Sequence, residues 1–285
     1  ITPLEEACLP VFDHAYLYGD GLFEGIRIYN RNIFKLDPHL ERLYNGIRHL
    51  DIRGMISYEE LKQRVLETAE ASGAENAYIR LSVSRGTGIG LNPANIDQTP
   101  NVMIAITRLA LYPPEMYETG LRVVTVSTRV MTPDSLDPRI KSIGRYVANI
   151  QAKIEANRQG AGEGLMLNAQ GYVAEATGDN LFIVKDGVLR TPHPSCGILK
   201  GITRATVIEI ARDRGIPVVE DWLTLHDVYT ADEAFLTGTA AEIIPMVELD
   251  YRPIGGGTPG EITEQVIAEF RQRVCEDGVR IGVGV

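Results

Sequence analysis

The chain has 285 residues, 44% of them hydrophobic and 23% charged, with 28 Lys plus Arg against 38 Asp plus Glu and a formal net charge of −10. This is ordinary globular composition, which excludes an intrinsically disordered or collagen-like chain, and the length suits one large domain or two modest ones. The acidic balance argues against nucleic acid and against an anionic membrane as main partners, while leaving room for a local basic pocket. A chain of this size buries roughly 75% of its unfolded surface and needs no disulfide or metal staple. Cys8, Cys196 and Cys275 are widely spaced and form no CxxC, so neither a disulfide framework nor a Cys-based zinc site is expected, and a reducing, cytoplasmic compartment is. No apolar run approaches the ~18 residues of a membrane span. No signal peptide is expected, since the first residues carry Glu5, Glu6 and two prolines. The first residue is Ile1, so a few residues are expected to precede it.

In chain order, Gly21–Leu36 reads as two strands around Asn30-Arg31-Asn32. Asp37-Pro38 predicts an N-cap and a first-turn proline, followed by a helical stripe of Leu40, Leu43, Tyr44 and Ile47. Ser57-x-x-Glu60 predicts a capped helix carrying Leu61, Val65 and Ala69 and ending near Gly73. Tyr78–Ser84 and Val102–Thr107 read as strands, with a glycine-rich loop at Arg85–Pro93 between them. Ala110–Gly120, broken by Pro113-Pro114, is the expected linker. Beyond it come a strand at Arg122–Thr128 and a helix at Tyr146–Gln159. Two hairpins follow, Gly164–Ala176 and Asn180–Thr191, the second turning on Asp186-Gly187. A helix at Thr203–Arg214, a strand at Ala234–Gly238 and a helix at Thr263–Cys275 complete the pattern.

Several residues are candidates for chemistry. Gly86-x-Gly88-x-Gly90 lacks the full dinucleotide spacing, and there is no Walker sequence, no nucleophile elbow and no histidine pair at metal spacing. Gly201-Ile202-Thr203 opens a helix whose N–H groups favour an anion, and Gly238-Thr239-Ala240-Ala241 follows a strand with small residues; either is also compatible with a plain capped turn. Lys141 sits among Ile140, Ile143 and Gly144, where a partly apolar site lowers a lysine pKa and makes it a nucleophile, although a surface lysine would read the same. Glu175 ends a strand among small residues and Arg42 lies off the apolar stripe of its helix; each also suits an ordinary solvated position. Together they supply a lysine for an aldehyde, an acid for a pyridinium nitrogen and cradles for a phosphate, which is what a pyridoxal phosphate site requires.

The segments HAYLYGDGLFEGIRIY, HLERL, AYIR, GIGLNP, GYVAEATGDNLF, GITR and GTAAEIIP, in this order from about Val11 to about Phe270, resemble the branched-chain amino acid aminotransferases among the fold-type IV (class IV) pyridoxal phosphate enzymes. The resemblance implies an α+β fold with a small α/β domain over 1–111, a linker over 112–122 and a larger cofactor-binding domain over 123–285 with a β-barrel-like core. It implies ping-pong transamination of L-leucine, L-isoleucine and L-valine with 2-oxoglutarate and pyridoxal 5′-phosphate, without a metal. Lys141 would form the Schiff base and shuttle the proton between Cα and C4′. Glu175, 34 residues on, would hold the pyridine nitrogen, and Tyr146 the phenolic oxygen. Arg42, Ile202, Thr203 and Thr239 would form the phosphate cup. The Thr239 and Ala240 amides with the Tyr78 hydroxyl would take the α-carboxylate. Phe23, Arg27 and Tyr112 would line the side-chain pocket, with Arg27 or Arg80 toward a γ-carboxylate. Tyr18 and the Arg85–Asn92 loop match parts given by a second subunit, implying a homodimer or higher homo-oligomer.

Neighbouring activities differ at identifiable residues. D-amino acid transaminases carry an Arg-x-His where this chain has Gly90 and Asn92, and YEVIR where it has Phe23–Arg27. Aminodeoxychorismate lyases generally lack the GTAAEI run. Arg145 departs from the family's usual Asn beside the site tyrosine. The alternatives are therefore a D-amino acid or (R)-amine transaminase, an aminodeoxychorismate lyase, or a cofactor-binding protein without turnover.

Overall fold

The computed structural model describes residues 1–282. Its packing divides the chain into two units: Ile1–Leu109 with Ile140–Arg145 and the chain from Val274 onward, and Ala110–Arg139 with Tyr146–Arg273. Among the described residues no helix is long and apolar enough to cross a membrane, and no cluster of His, Cys, Asp and Glu is arranged to hold a metal.

The first unit is an antiparallel sheet covered on one face by helices. Strands β1 (Gly21–Tyr29), β2 (Asn32–Phe34), β3 (Ala77–Ser84) and β4 (Val102–Thr107) stand in the order β2-β1-β3-β4, and Gly278–Arg280 adds a fifth strand beside β2. The β1–β2 turn has Asn30 at φ 48° and Arg31 at φ 63°, the geometry that matches the twist of a tight hairpin. Residues alternate across a strand. Leu22, Ile26 and Ile28 of β1 therefore join Ile79, Leu81 and Val83 of β3 in one core.

A short helix α1 (His14–Tyr18) precedes β1, capped by the Asp13 carboxylate. The helices over the core are α2 (Leu36–His49), which supplies Leu40, Leu43 and Ile47, and α3 (Tyr58–Ser72), which supplies Leu61, Val65 and Ala69. Helix α2 starts two residues earlier than Asp37-Pro38 predicts. Lys35, at φ 50°, turns the chain into it, and Pro38 falls in the first turn, where its missing N–H leaves no bond unmade. Asp37 instead accepts from the Tyr58 hydroxyl and from Lys62 Nζ, both at 2.7 Å, tying α2 to α3. Ser57 caps α3 by accepting from the Glu60 amide, and Gly73 ends it at φ 63°.

The second unit is a closed barrel with appended strands. Pro113-Pro114, read from the sequence as a break, opens helix α4 (Pro114–Thr119), because proline suits a first helical position. Then come β5 (Leu121–Arg129), α5 (Tyr146–Arg158), β6 (Glu163–Leu167), β7 (Val173–Ala176), β8 (Asn180–Lys185) and β9 (Val188–Pro192). They are followed by α6 (Ile202–Asp213), β10 (Val218–Asp221), α7 (Leu225–Tyr229), β11 (Glu233–Gly238), β12 (Glu242–Leu249) and α8 (Glu261–Glu276). The sheet runs β8-β11-β12-β5-β6-β7, and β7 pairs back with β8, so those six strands close on themselves. Closure leaves no open edge in the ring. Leu121, Val123, Leu165, Leu181, Ile183, Leu236 and Ile244 fill one core, while Phe182 and Phe235 stack at 5.1 Å elsewhere on the sheet.

Ile26 is fully buried at the centre of β1. Ile26→Ala is expected to cost about 2–5 kcal/mol and Ile26→Val about 0.5–1.5 kcal/mol, because the first leaves a cavity and the second removes one methyl. Chemical denaturation of both variants checks this; equal losses would contradict it.

Candidate active site

In the first unit, residues 141–144 lie alongside the start of β1. The Phe23 amide donates to the Lys141 carbonyl, Ile143 to Gly21 and Gly144 to Gly19, and Ser142 bridges Leu22. Ile140 anchors this segment in the core. Its position is therefore set by main-chain bonds, not by the Lys141 side chain. Lys141 Nζ lies 4.7 Å from the centroid of the Phe23 ring, and the Arg80 guanidinium lies over the same ring at 3.4 Å.

The face of β1 opposite the helices carries Phe23, Gly25 and Arg27. In register with them on β3 are Ser82, Arg80 and Tyr78. Four of the sequence-predicted substrate residues, Phe23, Arg27, Tyr78 and Arg80, thus share one face. Gly25 has a steric reason here: a Cβ on it would lie 2.2 Å from the Tyr78 hydroxyl oxygen. A larger residue, such as the Val of YEVIR, and the present position of the Tyr78 phenol are mutually exclusive. Tyr18 accepts a hydrogen bond from the Gly90 amide at 2.9 Å, and His14 joins the Asp20 carboxylate to the Gly90 carbonyl, so α1 holds the glycine-rich loop from both sides of Gly90.

Arg42 of α2 meets a residue that sequence reasoning missed. Its Nε and Nη2 donate to the two carboxylate oxygens of Glu24, at 2.8 and 2.7 Å, and His39 Nδ1 lies 2.7 Å from Glu24 Oε2. Glu24 is fully buried. Burial pushes its carboxyl up, but the Arg42 charge and hydrogen bonds, helped by the His39 hydrogen bond, bring it down to about 2. Burial lowers the His39 pKa, with Arg42 and Lys141 acting in the same direction against Glu24, so the neutral imidazole donates from Nδ1. The signal was available in the phase of β1: Leu22, Ile26 and Ile28 put Glu24 on the buried face.

In the second unit, Glu175 on β7 is buried and its Oε2 accepts from the Leu199 amide at 2.8 Å and from Asn180 Nδ2 at 3.2 Å. Asn180 also donates to the Leu199 carbonyl. Glu175 pairs with Asn180 across β7–β8, and Asn180 with Thr237 across β8–β11, so three polar side chains form one row. The Thr237 hydroxyl is buried and has no hydrogen-bond partner among the described residues. Gly201 precedes Ile202 and Thr203 at the start of α6 with no side-chain cap, and a Cβ on it would sit 2.2 Å from Asn180 Oδ1. Arg204, next in the helix, is turned toward Thr191, Pro192 and Glu220. Thr239 and Ala240 form the β11–β12 turn, and a Cβ on Gly238 would lie 2.0 Å from Asp179 Oδ1.

Tyr112 donates to Glu163 Oε2, a second residue missed from sequence. Glu163 is also held by Lys153 Nζ, the Gly164 amide and the Thr177 hydroxyl. Burial, then the Asp179 and Glu163 charges, push the Tyr112 phenol far above its usual pKa, so it stays a donor. Tyr146 is the first residue of α5, and buried Arg145 immediately precedes it.

A family model described as amino-transferase class IV matches residues 21–249. A Methanocaldococcus jannaschii protein, provisionally named a branched-chain-amino-acid aminotransferase, is 46% identical over 278 residues, 97% of this chain and 95% of its own. The crystal structure of the Escherichia coli branched-chain amino acid aminotransferase matches with a TM-score of 0.91 at 32% identity, covering 99% of this chain and 94% of that one. The branched-chain amino acid aminotransferase from Thermobaculum terrenum, in its PLP-bound holo-form, matches with a TM-score of 0.87 at 31% identity, covering 96% and 91%. The chain belongs to the class IV aminotransferases and has their fold-type IV architecture; it is an aminotransferase.

Two outcomes test this geometry. Gly201→Ala is expected to displace Asn180 and thereby loosen the Glu175 carboxylate, visible in a crystal structure as loss of the Asn180–Glu175 bond; an unmoved Asn180 would contradict the contact. Because the Glu24 carboxyl is lowered from 4.5 to about 2 on folding, its stabilisation is complete above pH ~4.5 and is lost as pH falls toward 2. The acid limb of stability against pH should therefore flatten in Glu24→Gln.

Proposed function

We propose that the protein transfers the amino group of the branched-chain L-amino acids leucine, isoleucine and valine to 2-oxoglutarate with pyridoxal 5′-phosphate, in a ping-pong cycle. The observation that carries the substrate assignment is the shared face of β1 and β3, where the Phe23 ring lies against two cations and the paired Arg27 and Tyr78 stand farther along the same face. An apolar side chain can rest on the ring, and a γ-carboxylate can turn to Arg80 or Arg27. That dual capacity is what alternating between a branched-chain donor and 2-oxoglutarate demands.

The residues also fit the cofactor. Glu175 is a buried carboxylate fixed by a main-chain N–H and an amide, which suits a protonated ring nitrogen. Gly201 and Gly238 leave no room for a side chain beside α6 and the β11–β12 turn, where the N–H groups of Ile202, Thr203 and Thr239 suit a phosphate. The unpartnered Thr237 hydroxyl, in the row of Glu175 and Asn180, suits a ligand there.

When bound, the cofactor supplies an electron sink for the carbanion formed at the substrate Cα. Lys141 is assigned the aldehyde, and its Nζ carries the proton leaving Cα. Glu175 keeps the ring nitrogen protonated and Tyr146 holds the phenolic oxygen. Arg42, with Ile202, Thr203 and Thr239, grips the phosphate. The Thr239 and Ala240 amides and the Tyr78 hydroxyl orient the substrate α-carboxylate, while Phe23, Arg27, Arg80 and Tyr112 receive the side chain. Tyr18 and the Arg85–Asn92 loop serve a second copy in a cytoplasmic homodimer or higher homo-oligomer. Exposed Val11, Phe12, Tyr16, Ile89 and Leu91 support such association.

The test is a half-reaction spectrum with L-leucine, D-alanine and (R)-1-phenylethylamine as donors. L-leucine should convert the visible absorbance fastest, and 2-oxoglutarate should restore it. Lys141→Ala should abolish the band and lower turnover by ~10²–10⁴-fold or more. Preference for D-alanine or the (R)-amine, or pyruvate release from aminodeoxychorismate without an acceptor, would overturn the assignment.

A further inference from the structure

We propose that Glu24, backed by His39, is the positioning residue that presents Arg42 to the cofactor phosphate. The inference rests on the reading that Arg42 grips that phosphate. Glu24 interrupts an otherwise aliphatic face of β1, among Leu22, Ile26 and Ile28. An ionised carboxylate at such a place is tolerated only when donors surround it. Two come from one edge of the Arg42 guanidinium, Nε to Oε1 and Nη2 to Oε2, a fork that fixes both the plane and the direction of the group. The third comes from His39, three residues earlier on the same face of α2, whose Nδ1 meets Oε2. That contact stops the carboxylate from rotating and carrying Arg42 with it. A long side chain at a ligand site otherwise loses rotamer freedom when the ligand binds; here the loss is already met in the free protein.

Charge and orientation make opposite predictions, which separates them. Glu24 opposes the Arg42 charge, so if charge alone mattered, neutral Gln would strengthen phosphate binding. If orientation matters, Gln weakens it, because its amide NH₂ faces another donor. The cofactor-free full chain is titrated with pyridoxal 5′-phosphate and, separately, with pyridoxal, which lacks the phosphate. In Glu24→Gln the preference for the phosphorylated form should fall about tenfold or more while pyridoxal affinity holds within about twofold, a pattern that lost folding cannot mimic. His39→Leu should move the same ratio in the same direction by less, and it decides the matter if Glu24→Gln does not fold. Arg42→Ala is the reference. If Arg42→Ala collapses the ratio but the Glu24 and His39 variants leave it unchanged, raise it, or weaken both ligands equally, the positioning role is wrong and the reading of Arg42 stands. If Arg42→Ala leaves the ratio intact, that reading fails, and the proposal with it.

Discussion

A carboxylate removed from water must be met by donors, and three glutamates among the described residues are so removed: Glu24, Glu163 and Glu175. Breaking one partner of a buried charge typically costs ~3–5 kcal/mol, against about 0–1 kcal/mol for a solvent-exposed pair. Each buried glutamate therefore fixes whatever carries its donors. Glu24 fixes α2 against β1 through His39 and Arg42. Glu175 fixes the approach to α6 through Leu199. Glu163 fixes Tyr112 and the turn after β7 through Thr177. Arg42 and Tyr112, two of the residues assigned to chemistry, bond directly to such an anchor, each within its own unit, and are ordered by interactions that water cannot readily replace.

Much of the fold was legible because much of it is local. The Asp186-Gly187 turn needs positive φ at both residues, and the sequence names it without help from distant contacts. The cap at Ser57 and the stop at Gly73 are equally local. The parallel pairing of β5 with β6 and β12 depends on partners far along the chain, and periodicity carries no trace of it. Strand β10 has an exposed, charged end and no apolar alternation to betray it. The start of α2 was misplaced because Asp37 looks like a cap until Tyr58 and Lys62, which claim its carboxylate, are brought beside it.

The candidate site divides in the same way. Lys141, Glu175 and Arg42 stood out by residue type and neighbourhood. Asn180, Glu163 and His39 did not, since each matters only through a side chain that folding delivers. Glu24 lay between these cases, as the alternation of β1 marked it buried while nothing in the sequence said what would neutralise it. Three glycines carry a comparable message. Gly25, Gly201 and Gly238 have no positive φ, unlike Gly73 or Gly187, so backbone freedom does not explain them. Each instead yields volume to a polar atom: the Tyr78 hydroxyl, Asn180 Oδ1 and Asp179 Oδ1. A glycine in a strand or before a helix is then a statement about a neighbour's side chain, unlike the turn glycines.

In the proposed function the Phe23 ring is one surface that serves two unlike side chains. Its face attracts cations through the ring quadrupole, at roughly 0.5–2 kcal/mol per contact. Arg80, resting on it at 3.4 Å and donating from Nε to Ser82 Oγ, is held without an ion pair to any carboxylate among the described residues. Pairing Arg80 with an internal acid would hold it more tightly but would leave a substrate carboxylate to compete for the charge. Leaving it in water would scatter its rotamers. Stacking on an aromatic ring is the intermediate solution: the guanidinium is oriented and stays attractive to an anion, and the rest of the ring remains an apolar wall. The same Phe23 offers its main-chain N–H to the Lys141 carbonyl. The residue assigned to the side-chain pocket in the proposed function therefore also holds the backbone at Lys141, so a change at Phe23 should bear on substrate choice and on the placement of Lys141 together.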